Sequence, residues 1–112
     1  MAEGTRHEDP LEFIQECVAE GRILWTYHVN MRLKKRSVTR QEILDSVSDY
    51  EIIEKYPDDK YLPSCLIHAT IGVKVIHVLF AMDLKDRNVR VVTAYEPDPD
   101  RWKTDFKTRR KS

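Results

Sequence analysis

Residues 65–83, CLIHATIGVKVIHVLFAMD, decide the fold, because two runs rich in β-branched residues flank the dipeptide Gly72-Val73. A two-residue loop that begins with glycine is typical of a type II′ hairpin turn. This loop fixes the pairing along both strands and places His68 opposite His77. The sequence therefore predicts an antiparallel hairpin with two imidazoles on one face, their Cβ atoms about 5 Å apart.

The segments on either side of this hairpin extend the sheet. A further strand, Val89–Tyr95, follows a short loop, and an earlier strand, Tyr50–Tyr56, ends before Pro57. Strands that are joined by short loops run antiparallel. The run Arg22–Trp25 is typical of either a brief strand or an extended entry into the next helix.

Helices are predicted mainly before the hairpin. Asp9-Pro10 predicts the start of a first helix and Gly21 its end. A second helix is predicted over Tyr27–Lys35, and Thr39 opens a third with a capping box. A short terminal helix is predicted over residues 100–107. We therefore expect an α+β fold, with two to three N-terminal helices on a three- to four-stranded antiparallel sheet.

Length and composition indicate a small globular protein. Of the 112 residues, 41% are hydrophobic and 34% charged, which fits a single folded domain. We predict that domain over residues 9–107, between a flexible tail at residues 1–8 and a basic tail at residues 108–112. No apolar run approaches the roughly 20 residues of a membrane span, so we expect a cytoplasmic protein without a membrane partner. The two cysteines lack metal-ligand spacing, and neither a metal nor a cofactor is expected.

Cations concentrate in one block of a chain whose net charge is zero. Residues 21–40 contain six Lys and Arg and no Asp or Glu. On the predicted second helix, one face carries His28, Arg32, Lys35 and Arg36. Clustered arginine and lysine are typical binders of phosphate, so Arg32, Lys35 and Arg36 are candidates to hold RNA. A plain solvated face is the alternative.

The two faces of the predicted sheet differ in polarity. If Tyr95 pairs with His77, one face carries His68, Thr70, His77, Thr93 and Tyr95. The opposite face should pack on the helices, since it carries Ile67, Ala69, Ile71, Ile76, Val78, Phe80, Val92 and Ala94. A histidine pair beside a tyrosine can perform acid–base chemistry without a metal. Ordinary half-buried cross-strand residues are the alternative.

Those side chains match the needs of RNA cleavage through the 2′-hydroxyl. That reaction requires a base, a cation for the phosphate charge and an acid for the leaving oxygen. We assign the base or acid to His28 or His77, and the positioning of a base or the donation of a proton to Tyr95. His68 and Thr93 would be accessory residues.

Four short motifs resemble the domain-of-unknown-function family DUF4258. They are YHVNMR at Tyr27–Arg32 with Lys35-Arg36, YEIIEKYPDD at Tyr50–Asp59, HVLFAMD at His77–Asp83 and VVTAYEP at Val91–Pro97. The match runs over roughly residues 25–97, in the family's order and spacing. The closing Thr-Ala-Tyr-Glu-Pro is the most specific of the four.

The resemblance implies a layout similar to the RelE/MqsR-like ribonuclease toxins. It implies a metal-independent endoribonuclease, the toxin of a toxin–antitoxin pair, whose antitoxin is often a small zinc-finger protein. The recurrent polar positions of the family fall on His28, Arg32, Arg36, His77 and Tyr95. His68 matches no family motif, and its role depends on the strand pairing alone.

Two functions without catalysis stay open at this point. The cationic helix face would either dock an acidic partner or bind nucleic acid without cleaving it. The surroundings of His77 discriminate among these functions. Convergence of His28 and His77 within about 8 Å of Arg32 in a cleft favours catalysis, whereas enclosure of His77 by apolar side chains favours a binding module.

Overall fold

The computed structural model describes residues 9–26, 29 and 38–110, and within them two α-helices, a 3₁₀ turn and five strands. The helices are α1 (Pro10–Ala19) and α2 (Arg40–Asp45), and the 3₁₀ turn covers Val47–Asp49. The strands are β1 (Ile23–Trp25), β2 (Glu51–Tyr56), β3 (Ser64–Ile71), β4 (Lys74–Asp83) and β5 (Asn88–Tyr95). The α+β class is confirmed. Of the helix predicted over Tyr27–Lys35 only Val29 is among the described residues, where it is helical and buried, and the rest of that segment lies outside them.

The five strands form one mixed sheet in the order β1-β5-β4-β3-β2. Strands β2 to β5 pair antiparallel as predicted, whereas β1 runs parallel to β5, with Ile23 beside Val89. The prediction of a purely antiparallel sheet with three or four strands is therefore wrong in strand number and in this one pairing. A three-residue strand that pairs parallel with a distant segment leaves no turn signal in the sequence.

The predicted hairpin register is confirmed. His68 lies opposite His77 in the β3–β4 ladder. Gly72 has a φ of 61°, and Val73 is not among the residues with positive φ, which is the pattern of a type II′ turn. The pairing of His77 with Tyr95 is also present.

The β4–β5 register depends on a bulge. The loop between these strands has four residues, 84–87, which alone would shift the pairing by one position. The ladder jumps between Leu79, which faces Thr93, and Phe80, which faces Val91. The extra residue is Val92, so the bulge restores the predicted partners at the His77 end.

Local sequence signals set the helix ends. The Asp9 side chain accepts a 2.9 Å hydrogen bond from the N–H of Leu11 and begins α1. Gly21, with a φ of 78°, closes α1 in a Schellman motif, since the N–H of Arg22 donates to the carbonyl of Cys17 at 2.7 Å. At α2 the predicted capping box of Thr39 is complete.

The core lies between the helices and one face of the sheet. From α1 it takes Phe13, Ile14, Cys17 and Val18, all of which are buried. Seven of the eight apolar residues predicted for this face are buried or pack on the core. The exception is Val92, which is 43% exposed because the bulge turns it outward and places Val91 in the core instead.

The chain after β5 lies across the opposite, open face of the sheet. We call residues 96–110 the C-terminal strap. The helix predicted over residues 100–107 is wrong, because the strap consists of turns closed by a bridge between Trp102 and Arg109. The Asp105 carboxylate accepts hydrogen bonds from two backbone N–H groups that follow it. Such local bonds stabilise a turn in competition with a helix.

Candidate functional site

The strand register brings three of the predicted site residues together on the open face. The ring centroids of His68 and His77 lie 5.9 Å apart, and those of His77 and Tyr95 lie 5.4 Å apart. Thr93 lies two residues before Tyr95 on the same strand and is half-buried. We call His68, His77 and Tyr95 the histidine cluster.

The C-terminal strap encloses this cluster. His77 has 0% exposed surface, and the indole of Trp102 lies edge-on against its ring at 4.5 Å. Nε2 of His77 is 2.7 Å from the carbonyl oxygen of Phe106. A carbonyl oxygen can only accept, so Nε2 carries the proton and donates it in this bond. In this enclosed position His77 cannot reach a substrate, which favours a binding function over catalysis by this residue.

Enclosure also sets the charge of both histidines. Burial lowers the pKa of His77 below its ordinary value, the hydrogen bond to Phe106 opposes this, and His68 lowers it further. Burial lowers the pKa of His68 as well, and the Lys107 ammonium adds to the effect. Both imidazoles are therefore mainly neutral at pH 7.

The other predicted cationic residues cannot be placed against this cluster. His28, Arg32, Lys35 and Arg36 lie outside the described residues. Their assignment to phosphate binding and to acid–base chemistry stays a prediction.

A groove follows the open face beside the strap. Its centre has a volume of about 280 Å³ and is lined by Tyr56, Asp59, Leu66, Leu79, Thr93, Tyr95 and Arg109. At one end it shares Asp59 and Leu79 with a cavity of about 570 Å³. At the other end it shares Tyr95 and Arg109 with a cavity of about 540 Å³. We call these three adjoining spaces, which share lining residues, the sheet groove.

An arginine–glutamate pair forms the wall of this groove. Nε of Arg109 lies 2.6 Å from Oε2 of Glu54, and Nη2 lies 3.1 Å from Oε1. The hydroxyl of Tyr56 donates to Glu54, and the Arg109 guanidinium lies 4.5 Å from the centroid of the Trp102 ring. The Arg109 hydrogen bonds hold the pKa of Glu54 below its usual range. This network joins β2, the strap and the centre of the groove.

Both aromatic and cationic side chains line the sheet groove. The aromatic residues are Tyr61, Tyr56, Tyr95 and Trp102, and the cations are Lys60, Arg90, Arg109 and Arg101. Tyr61 is the most open of these aromatic rings and is 86% exposed. Asp59, Glu96 and Asp98 also line the groove, so its charge is mixed rather than uniformly positive.

Sequence reasoning missed much of this lining. Arg109 was assigned to a basic tail, Tyr56 was predicted only as part of a strand and a family motif, and Tyr61 was not singled out. Their juxtaposition depends on the strap folding back over β2, which no periodicity in the sequence indicates. The usable signal was the Trp102 side chain, since a large aromatic residue in a polar terminal segment needs a surface on which to pack.

Comparison with known proteins places the chain in a family. A family model described as a domain of unknown function (DUF4258) matches residues 25–96, well over half of the chain. The chain belongs to the DUF4258 family. The DUF4258 match contains the histidine cluster and Tyr56, but it stops where the strap begins. Comparisons with curated proteins and with solved structures gave no significant match.

The described residues of the DUF4258 protein offer neither a metal cluster nor a membrane-spanning helix. Residues 9–26, 29 and 38–110 contain no group of three His, Cys, Asp or Glu residues placed to hold a metal ion. Over the same residues no helix has the length and apolarity that a bilayer crossing requires.

Proposed function

We propose that this DUF4258 protein binds single-stranded RNA in the sheet groove. The observation that carries this proposal is the 86% exposed ring of Tyr61 in a groove that also presents the exposed cations Lys60, Arg90 and Arg101. Bases of any identity stack on exposed aromatic rings, while arginine and lysine contact the phosphates between them. The groove thus offers both kinds of contact to a flexible strand.

Binding is better supported than histidine catalysis by the same geometry. His77 is fully buried, and its one proton donor is bonded to the carbonyl oxygen of Phe106. A general base or acid must come within hydrogen-bond reach of the reacting group. His77 therefore lies beneath the groove and does not contact a ligand bound in it.

Metal-independent RNA cleavage by a RelE-like toxin is a second candidate. It is favoured by the presence of the Tyr95 phenol and the Arg109 guanidinium in one groove. Burial raises the pKa of Tyr95, which keeps the phenol protonated as an acid requires. In this reaction the 2′-oxygen attacks phosphorus, its proton passes to the base predicted at His28, and a 2′,3′-cyclic phosphate forms. The bond to the 5′-oxygen breaks, and that oxygen takes its proton from Tyr95.

The antitoxin expected from the family resemblance would compete for the same groove. Lys60, Arg90 and Arg101 are exposed at its rim, so an acidic segment would meet complementary charge there. A cytoplasmic toxin–antitoxin pair would then hold the RNA site closed until the antitoxin is removed.

Fluorescence anisotropy with a labelled single-stranded RNA of about 12 nucleotides tests the binding proposal. Loss of one stacking ring costs about 1 to 3 kcal/mol, so Tyr61→Ala should weaken binding about tenfold. Arg101→Gln should reduce the slope of log affinity against log salt by about 0.7. Val73→Ala is the control, because Val73 is fully exposed at the hairpin turn, outside the lining of the groove. Equal affinity in all four proteins, or no binding by the wild type, contradicts the proposal.

The same RNA, labelled at its 5′ end, tests cleavage. The second candidate requires a fragment with a cyclic phosphate end in the wild type and its loss in Tyr95→Phe. An RNA that carries a single 2′-deoxy substitution at the cleaved position should stay intact. Binding without any fragment leaves the binding function and removes the nuclease.

A further inference from the structure

We propose that the C-terminal strap is a pH-sensitive latch, which closes on the histidine cluster when His77 is neutral and lifts from the sheet when His77 takes up a second proton. Part of this inference rests on the proposed function, because the strap supplies Trp102 and Arg109 to the wall of the sheet groove. Closure of the strap would complete the groove, and its release would dismantle that wall.

The strap meets the sheet at a buried contact around His77. Trp102 is 2% exposed and packs edge-on against His77, and the carbonyl of Phe106 accepts from Nε2 of the same imidazole. On β2 the strap also forms two ion pairs at the surface, Lys107 with Glu51 at 2.9 Å and Arg109 with Glu54 at 2.6 Å. Partly exposed ion pairs contribute little and are screened by salt. His77 is therefore the residue on which closure depends.

The backbone at this contact is held in an unfavourable conformation. Phe106 has a φ of 55°, in the left-handed region that bulky L-residues rarely adopt. This conformation directs the Phe106 carbonyl to His77. A strained residue persists only while its surroundings hold it there, and here the His77 hydrogen bond to the Phe106 carbonyl does so together with the Phe106 amide bond to the Lys103 carbonyl. Loss of that contact would let Phe106 relax to negative φ and release the turn.

A second proton has no favourable place on His77. It would go to Nδ1, which is buried and has no hydrogen-bond partner among the described residues. The resulting imidazolium would face His68 from β3 and Arg109 from the strap, with Lys107 near His68. Glu54 on β2 attracts it, but that carboxylate already carries both hydrogen bonds of Arg109. Tyr95 on β5 adds an aromatic ring rather than a negative charge.

The sign of the pH dependence follows from linkage. With the strap lifted, an exposed His77 titrates near its ordinary value of about 6.5. In the closed strap the neutral form is favoured, so the closed fraction is highest, and does not depend on this titration, above that pH. Below it the open form binds the extra proton, and the ratio of open to closed strap rises up to about tenfold per pH unit until the closed form titrates as well. Nucleic-acid affinity usually increases when histidines become charged, so weaker RNA binding at acid pH is a distinctive expectation.

Tryptophan emission reports the latch directly. The chain has two tryptophans, Trp25 and Trp102, so a Trp25→Phe background leaves the strap indole as the one emitter. From pH 8 to pH 5 its emission should shift to longer wavelength with a midpoint below about 6.5, while far-UV circular dichroism stays constant. Adding His77→Gln keeps an N–H donor for the Phe106 carbonyl but removes the titration, and should abolish the shift. The same shift in both proteins, or none in the first, overturns the latch.

Hydrogen exchange of the wild type covers the case in which His77→Gln fails to fold. The amide of Lys103 bonds to the Thr108 carbonyl at 2.8 Å, and the amide of Phe106 to the Lys103 carbonyl at 2.8 Å. Both should lose protection at pH 5.5 relative to pH 7.5, after correction for intrinsic rates, whereas β4 amides keep theirs. Parallel loss in the strap and in β4 would show global unfolding and overturn the latch.

An RNA titration over the same pH range separates the latch from the proposed function. If both hold, affinity falls as Trp102 becomes exposed. Absence of RNA binding at every pH, with the emission shift intact, removes the proposed function and leaves the latch. Constant RNA affinity across an observed emission shift overturns the link between the strap and the groove.

Discussion

Arg109 and Glu54, which are 55 residues apart in the chain, are joined by two hydrogen bonds of 2.6 and 3.1 Å. This fork-to-fork geometry is specific to a guanidinium facing a carboxylate. Although the Arg109 side chain is 53% exposed, the pair fixes the end of the strap on β2. It is therefore a contact at which the strap can be weakened without removing the His77 hydrogen bond to Phe106.

Arg109→Lys should destabilise the strap although it keeps the charge. Lysine cannot form two parallel hydrogen bonds to Glu54, so we expect a loss of about 0.5 to 1 kcal/mol in the free energy of unfolding. Urea denaturation of Arg109→Lys, Glu54→Gln and the double variant measures the coupling. If the two losses add without any coupling, the pair contributes nothing to stability.

Gly72→Ala should lower the free energy of unfolding by about 1 kcal/mol, because alanine is less stable than glycine in the left-handed backbone conformation. Gly72 has a φ of 61°, and an added Cβ would meet no atom within 4 Å, so the strain has no steric source in the surroundings. Val73→Ala is the matched control at the same turn, since Val73 is fully exposed. Thermal unfolding should show a lower melting temperature for Gly72→Ala than for the wild type, and no change for Val73→Ala. Equal melting temperatures would show that the turn tolerates a side chain.

Tyr50→Phe should destabilise the core by about 1 kcal/mol. The buried Tyr50 hydroxyl donates a 2.7 Å hydrogen bond to the carbonyl of Ile43, and its ring packs against Phe80 with centroids 5.6 Å apart. Phenylalanine keeps the ring contact and removes only the hydroxyl. Tyr61→Phe, at an exposed position, should leave the urea midpoint unchanged. If Tyr50→Phe leaves the free energy of unfolding unchanged, the Ile43 carbonyl must find another hydrogen-bond donor.

Acid should weaken the contact between α2 and the hairpin through Glu42. Burial raises the pKa of Glu42, but hydrogen bonds from Lys74 and Thr39 outweigh it and leave that pKa below the ordinary value. A lowered carboxyl pKa in the folded state means stability that is present above the unfolded value of about 4.3 and lost as pH falls through the folded value. Glu42→Gln should flatten this part of the stability curve, whereas Glu16→Gln, exposed on α1, should not. Superimposable curves for both variants would contradict this role.

Strand pairing was predictable where a short turn fixed it. Gly72 determined the β3–β4 register, and with it the position of His68 opposite His77. The Tyr95 pairing was also correct, although the bulge at Val92 could not be foreseen. A bulge changes the face of one residue without altering the composition of the strand, so alternation alone placed Val92 in the core.

Contacts over long sequence distances were not predictable. The parallel β1–β5 pairing has no turn, and the position of the strap depends on Trp102 finding the imidazole of His77. Residues 100–107 were predicted as a short helix that carries Trp102 and Phe106. In the structure only Trp102 is fully buried, and local Asp105 bonds and the left-handed Phe106 replace the helix.

The parallel pairing of Ile23 with Val89 also determines when the fold can be completed. During synthesis the hairpin of β3 and β4 can form as soon as its residues leave the ribosome, because its contacts are local. Strand β1 is made much earlier, yet its partner is the last strand of the sheet. Until β5 emerges, the apolar face of α1 and the backbone of β1 have no docking site in the sheet. Closure of this edge of the sheet therefore has to wait for the last strand, since the contact joins segments far apart in the chain.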